Sequence, residues 1–422
     1  MRISSFVILC LLLGGIFIVV AKPPLTSIAK LVNSKEVVLI GSTQPSEASK
    51  PLDQVKSLQE NREEIPSPSI QTPSYLKTPI PLKAVYLSAW TAGSPNKMNA
   101  VIDLINRTEL NAVVIDVKDS TGVISWHVSD EGLKRYATTE NRIRSIEEVI
   151  KKLHDNNIYV IARIAVFQDP AFARKFPEHA LHSKKNPEKL WLDKKKLAWL
   201  DVGSREVWDY ALLIAQEARV KGFDEANFDY IRFPSDGDLK DILYPYSEGK
   251  KRSDVVTSFF SYVKENRIDK NMVFSADIFG LTTTDTSDLG IGQLLESALD
   301  NFDYISPMVY PSHFADGTYG IAKPAEKPYE IISIAMKKAV ARAEEHGVLK
   351  DKLRPWLQDF DLGARYTPEM VRAQIQATYD SGLTSWMLWD PANSYTEKAL
   401  LNEENATSEY QKLFSTVNQT EN

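Results

Sequence analysis

Phe228-Asp229-Tyr230-Ile231-Arg232-Phe233-Pro234 ends an apolar run with a carboxylate, a guanidinium and a proline that stops a strand. Ser275-Ala276-Asp277-Ile278-Phe279-Gly280 ends another run with a second carboxylate. A carboxylate at the end of a buried strand is costly without a partner or a task. Side chains alternate along a strand, so Asp229 shares a face with Asn227, Tyr230 and Arg232 take the other, and Asp277 shares a face with Ser275. Neighbouring strands lie about 4.8 Å apart, so two such carboxylates at one level would come within roughly 5–9 Å. That span covers both arrangements used in glycoside hydrolysis, the closer for retention and the wider for inversion. The reaction needs one group protonated and the other ionised. Mutual repulsion and partial burial separate the two, and a cation such as Arg163 or Arg232 keeps one charged. The competing reading makes Asp229 and Arg232 a structural ion pair at a strand end.

Eight short apolar, β-branched runs can position such residues: 84–90, 112–118, 158–167, 223–233, 272–279, 304–310, 354–360 and 385–390. Helical patterns lie between them. Ser145 and Glu148 have the spacing of a capping box, and Thr367-Pro368-Glu369 reads as an N-cap followed by proline, with Gly382 where that helix should stop. Ser253-Asp254 opens a helix whose Val256, Phe259, Phe260 and Val263 share a face, and a long helix runs over 329–345 to Gly347. Strands alternating with helices imply an α/β protein with a covered parallel sheet. Eight units fit a closed (β/α)8 TIM barrel with long βα loops after strands two and three, over 121–143 and 169–202. The alternative is a doubly wound open sheet, which often carries a glycine fingerprint. No GxGxxG or Walker A pattern is present, and Gly290-Ile291-Gly292 has no strand immediately ahead of it.

Barrels of this type carry function at the C-terminal ends of their strands. The polar residues collect there. Around the catalytic candidates Asp229 and Asp277, the substrate-binding candidates are Asp116, Lys118, Arg163, Asn227, Arg232, Tyr310, His313, Trp356, Gln358, Trp389 and Asp390. Any one of them alone reads as a helix cap or loop anchor; together they describe a polar bowl. Aromatic residues in the two long loops, among them Trp126, Phe172, Phe176, Trp191 and Trp199, either stack on sugar rings or anchor the loops to the rim.

Other chemistries find less support. The six His residues show no HExxH or paired metal spacing, and nothing calls for a metal or cofactor. There is no GxSxG elbow. The single cysteine, Cys10, lies in an N-terminal apolar run, which excludes thiol catalysis and an intramolecular disulfide. Lys118 at a strand end has the position of a Schiff-base lysine, but Asp116 and Asp119 flank it and would keep it charged.

The chain has 422 residues, a net charge of −6, 25% charged and 43% hydrophobic residues, the balance of a globular protein with no basic face for nucleic acid. The apolar run from Phe6 to Ala21 after Arg2 has the length of a signal h-region or a marginal N-terminal anchor. Residues 22–81 are rich in Pro, Ser, Thr, Lys and Glu and read as a low-complexity spacer. The folded domain is expected over 82–402, with a loose tail over 403–422, in a secreted or membrane-anchored protein that meets the membrane only through its N-terminal segment.

Five spaced motifs carry a family resemblance: Ile115-Asp116-Val117-Lys118-Asp119, Phe228 to Pro234, Ser275 to Gly280, Met308-Val309-Tyr310-Pro311-Ser312-His313 and Arg354-Pro355-Trp356-Leu357-Gln358-Asp359-Phe360. From about Lys83 to Asn402 the sequence resembles the putative glycosyl hydrolase domain of exported bacterial proteins, a glycoside-hydrolase-like (β/α)8 barrel distantly similar to the α-amylase-type enzymes. The resemblance implies that Asp229 matches the strand-four nucleophile and Asp277 the strand-five proton donor, where those enzymes usually carry Glu. It implies an exported glycosidase acting on a cell-envelope or extracellular polysaccharide. The departure at Asp277 motivates the alternative, a carbohydrate-binding envelope protein that keeps the cleft without the catalysis.

Overall fold

The computed structural model describes residues 74–402. The expected leader or anchor over 1–21, the spacer as far as residue 73 and the tail over 403–422 lie outside the described residues. Each of the eight apolar runs carries a strand: β1 (Lys83–Leu87), β2 (Ala112–Lys118), β3 (Tyr159–Ala165), β4 (Glu225–Asp229), β5 (Val273–Phe279), β6 (Tyr304–Met308), β7 (Trp356–Gln358) and β8 (Trp386–Trp389). Each pairs in parallel with its chain neighbour, and β1 also pairs with β8, which closes the barrel. Closure leaves the eight strands without an open edge.

The intervening helices are α1 (Pro95–Asn106), α2 (Ile146–Asp155), α3 (Arg205–Lys221), α4 (Arg252–Glu265), α5 (Leu295–Asn301), α6 (Pro328–Glu345) and α7 (Pro368–Tyr379). Thr367 caps α7 through its side chain, and Val256, Phe259, Phe260 and Val263 bury the inner face of α4 as their spacing requires. Ser145 stands at the N-cap of α2, but its hydroxyl makes no capping bond, so the expected capping box does not form. Among the described residues β8 is followed only by a 3-10 turn, Glu397–Ala399. No helix among them is long and apolar enough to cross a membrane.

Alternation splits the apolar residues into two cores. One fills the layer between strands and helices; the other, with Ala84, Val114, Ile161, Trp356 and Met387, fills the barrel interior. The interior is apolar mainly on β1, β2, β3 and β8. On β4, β5 and β6, and just ahead of β7, it holds Glu225, Asn227, Ser275, Asp277, Ser306 and Arg354, all buried. Residues 74–82 cross toward the N-terminal end of the strands: Tyr75 donates to the Arg219 carbonyl at 3.0 Å, Leu76 N donates to Asp224 at 2.7 Å, and Thr78 meets the Tyr159 hydroxyl at 3.0 Å.

Both long loops are present where expected. Val123–Ile124 and Thr138–Thr139 pair within the loop after β2, and His182–Ser183 in the loop after β3 pairs with Ile242–Leu243 after β4. Their aromatic residues serve as anchors. Trp126, Phe172, Trp191 and Trp199 are buried, Trp191 Nε1 donates to the Asp238 carbonyl and Trp199 Nε1 to Asp193.

Candidate active site

Strand register assembles the site. On β3, Arg163 lies level with Asp116 of β2 and Asn227 of β4, and Asn227 lies level with Ser275 of β5. All four point into the barrel mouth, as does Asp229 two residues beyond Asn227. β4 then stops at Asp229: Tyr230 adopts a left-handed conformation with φ 54°, which breaks the alternation. Arg232 therefore lies beyond the strand, and Arg163 is the cation that pairs with Asp229.

Arg163 is the centre of the charge network. Its Nη1 donates to Asp116 Oδ1 at 2.5 Å; its Nη2 and its Nε, the latter at 3.1 Å, both donate to Asp229 Oδ2. Asp116 also accepts from the Tyr86 hydroxyl at 2.5 Å, and Asp229 Oδ1 accepts from the Tyr230 backbone N–H at 2.6 Å. Asp229 thus accepts three N–H groups, two of them from one guanidinium. The Arg163 guanidinium also stacks 4.9 Å from the Trp389 ring, which in turn stacks on Tyr86 at 3.8 Å.

Asp277 sits in a different environment. Its Oδ2 lies 3.9 Å from Arg163 Nε, while its Oδ1 accepts from Asn227 Nδ2 at 2.9 Å and Trp356 Nε1 at 2.8 Å. Burial pushes its carboxyl up to about 8, the adjacent Asp229 charge adds to the rise, and Arg163 and the two N–H donors oppose it. Because Asp229 Oδ2 at 3.1 Å and Asp277 Oδ2 at 3.9 Å share one nitrogen, Arg163 Nε, the two oxygens lie within about 7 Å of each other. The site thus sets a carboxyl gripped by a guanidinium beside one whose burial favours its protonated form. Asp277 is only 1% exposed and sits below the cleft surface; Asp229 reaches that surface.

The cleft above has a volume of about 140 Å³, near the ~150 Å³ that accommodates one six-membered ring. Arg163, Asp229, Arg232, Tyr310, His313 and Trp389 all line it. Arg232 lies 4.8 Å over Trp199 and 4.6 Å from the Phe279 ring, and donates to the Phe233 carbonyl. His313 packs edge-on to Tyr310 at 5.0 Å, and burial lowers it to about 4, so it is neutral at pH 7.

Six of the eleven expected substrate-binding residues do not line the cleft: Asp116, Asn227 and Trp356 contact the carboxylates and Arg163 from buried positions, and Lys118, Gln358 and Asp390 serve elsewhere. Lys118 shares parity with Asp116 in sequence, but a bulge between them inserts Val117 and sets Lys118 level with Ile164 instead. Its side chain points to the helix layer, where Nζ meets Asp169 at 2.5 Å and lies 5.1 Å over the Tyr210 ring. Gln358 accepts from Ser312 N at 3.1 Å and donates to the Phe360 carbonyl, bracing two loops. The Asp390 carboxylate accepts from Ala392 N and Ser394 N and closes the turn after β8. Trp356 is fully buried and reaches the site only through Asp277. Sequence reasoning passed over Tyr86 and Glu225. Tyr86 is two residues beyond Ala84 on the inward face of β1, so the alternation that located Asp229 also locates it. Among the described residues no three His, Cys, Asp or Glu side chains are grouped to hold a metal ion.

The putative glycosyl hydrolase domain profile matches residues 84–395. No curated protein matches the chain. Among solved structures, the PgaB (BpsB) glycoside hydrolase domain of Bordetella bronchiseptica is 15% identical over 74% of this chain and 94% of that one, with a TM-score of 0.54, a likeness of fold. A hypothetical protein from Ruminiclostridium thermocellum is 37% identical over 46% of this chain and 96% of its own length, with a TM-score of 0.42. With the profile spanning nearly all of the barrel, the chain belongs to the putative glycosyl hydrolase domain family, a glycoside-hydrolase-type (β/α)8 barrel.

Proposed function

We propose that this protein is an exported glycoside hydrolase that cleaves a cell-envelope or extracellular polysaccharide, with Asp229 as the ionised carboxylate and Asp277 as the acid. The observation that carries the reading is two carboxyls in unlike surroundings around one arginine: Asp229 is gripped by two nitrogens of Arg163, while Asp277 is fully buried, stands 3.9 Å from the same guanidinium and is pushed up to about 8. Asp277 protonates the glycosidic oxygen as its bond to the anomeric carbon breaks. Asp229 meets the positive charge that develops on the sugar ring, either by bonding to that carbon or by activating water. The ~7 Å limit between the Oδ2 atoms removes the upper part of the inverting range and admits the retaining distance. Export rests on the apolar run from Phe6 to Ala21.

The burial of Asp277 supports a second reading, a carbohydrate-binding protein on the same barrel. A carboxyl 1% exposed reaches a glycosidic oxygen only after rotation or through water, where the one-carbon-longer Glu of the amylase-like enzymes extends further. Incubating the full chain with a panel of envelope and extracellular glycans and assaying new reducing ends separates the two. New ends above the blank support hydrolysis; retention on a glycan column with no new ends supports binding alone.

A further inference from the structure

Below the carboxylate pair lies a second buried ion pair that takes no part in the hydrolytic step. Glu225 and Arg354 are each 1% exposed. Everything bonded to the Glu225 carboxylate donates to it: Arg354 Nη1 at 3.2 Å and Nη2 at 3.1 Å, the Ser275 hydroxyl at 2.5 Å and the Tyr159 hydroxyl at 3.2 Å. Tyr159 has spent its proton on Glu225 and so accepts from Thr78 at 3.0 Å.

The direction of these bonds propagates upward. Ser275 gives its only proton to Glu225, so its oxygen offers only lone pairs to the next group. That group is Asn227 Nδ2, 3.1 Å away. The same nitrogen is 2.9 Å from Asp277 Oδ1 and uses its second hydrogen there. An Asn227 amide turned over would set its carbonyl oxygen against the Ser275 lone pairs and lose that bond, so Ser275 holds the Nδ2 hydrogens toward Asp277. Trp356 Nε1, a donor only, meets the same Asp277 oxygen at 2.8 Å. Oδ1 of Asp277 therefore accepts twice, and the proton belongs on Oδ2, the oxygen beside Arg163.

We infer that Glu225 is a positioning residue for the reaction, fixing through Ser275 and Asn227 the orientation of Asp277 and the oxygen on which its proton resides. The inference rests on the reading of Asp277 as the acid. The charged and titratable groups that face Asp277 are Arg163 on β3, Asp229 on β4 and Tyr310 after β6, and the test leaves all three in place.

Glu225→Gln would strand Arg354, so the relay is broken one step higher. Ser275→Ala removes the link and leaves the Glu225–Arg354 pair intact; Ser275→Thr keeps the hydroxyl. The full chain, labelled with ¹³C at its aspartate carboxyls, is titrated by NMR, with Asp277→Asn identifying the resonance, and kcat and KM are measured across pH. In Ser275→Ala, Asp277 should titrate about one pH unit higher because a donor to its ionised form is loosened. Its kcat should fall about ten-fold as the proton is misplaced, with KM unchanged. Ser275→Thr should restore both. An Ala variant that titrates as the wild type, or that loses only thermal stability, overturns the inference. The NMR titration does not require turnover, so a wild type that cleaves no glycan would refute the hydrolytic reading and still leave the coupling decided by the carboxyl shift.

Discussion

Arg163 donates two N–H groups to a single oxygen of Asp229. Its third nitrogen is held by Asp116, so one planar fork spans two carboxylates and presses toward a third, Asp277, at 3.9 Å. The fork thus faces three carboxyls, gripping Asp116 and Asp229 and meeting Asp277 only at the limit of an ion pair.

Arg163→Lys should therefore be far from conservative. An ammonium is a point charge and cannot hold Asp116 and Asp229 at once. The expected result is a fall in kcat of about 100-fold or more while the protein stays folded, measured by turnover and melting temperature together. Retained turnover would mean that the fork does not position Asp229.

Asp277→Asn should separate stability from activity. In the folded state the carboxyl is raised to about 8, above its unfolded value of about 3.9. The folded protein thus keeps a proton that the unfolded chain loses. Stability from this group is fully present below about pH 4 and is lost progressively as pH rises toward 8. Wild-type melting temperature should fall across that window. Asn, always neutral and still able to accept from Asn227 and Trp356, should remove that decline and abolish hydrolysis of unactivated substrates. A steeper fall with pH in the variant would contradict the assignment.

Trp356→Phe tests the acid from another side. The ring is kept and only the N–H to Asp277 Oδ1 is lost. Loss of a donor to the ionised form raises the carboxyl further, so the alkaline limb of kcat/KM, set near pH 8 by Asp277, should move upward. A limb that stays in place or moves down would show that another group sets it.

Lys118 gives a control. It is buried against Asp169 on the helix side of β2. Lys118→Met should cost about 3–5 kcal/mol by leaving the Asp169 carboxylate without its cation. Turnover per folded molecule should be unchanged. A loss of turnover beyond the loss of folded protein would place Lys118 back in the reaction.

The sequence made the barrel legible because eight apolar runs each had the length and composition of a buried strand, and helix ends such as Thr367-Pro368 carried their own chemistry. Strand parity also placed Asn227, Asp229, Ser275 and Asp277 on inward faces. Parity fails wherever a strand is interrupted. The bulge at Val117 turned Lys118 away, and the left-handed Tyr230 released Arg232 from the strand. Asp390 and Gln358 looked functional because a polar residue at a strand end looks the same whether it meets substrate or closes a backbone turn; only the location of the backbone N–H groups decides. The loop aromatics were ambiguous for a similar reason, since stacking on sugar and anchoring a loop call for the same residue types.

The most direct test of the central claim is turnover of Asp229→Asn on whichever glycan the wild type cleaves, measured per folded molecule. Arg163 keeps Asp116 as a partner in this variant, so the melting temperature should hold. The expected result is a loss of hydrolysis of about three orders of magnitude or more with glycan binding retained, because the ionised partner of the developing positive charge is gone. Turnover that merely follows the amount of folded protein would show that Asp229 is a structural ion-pair residue and contradict the account.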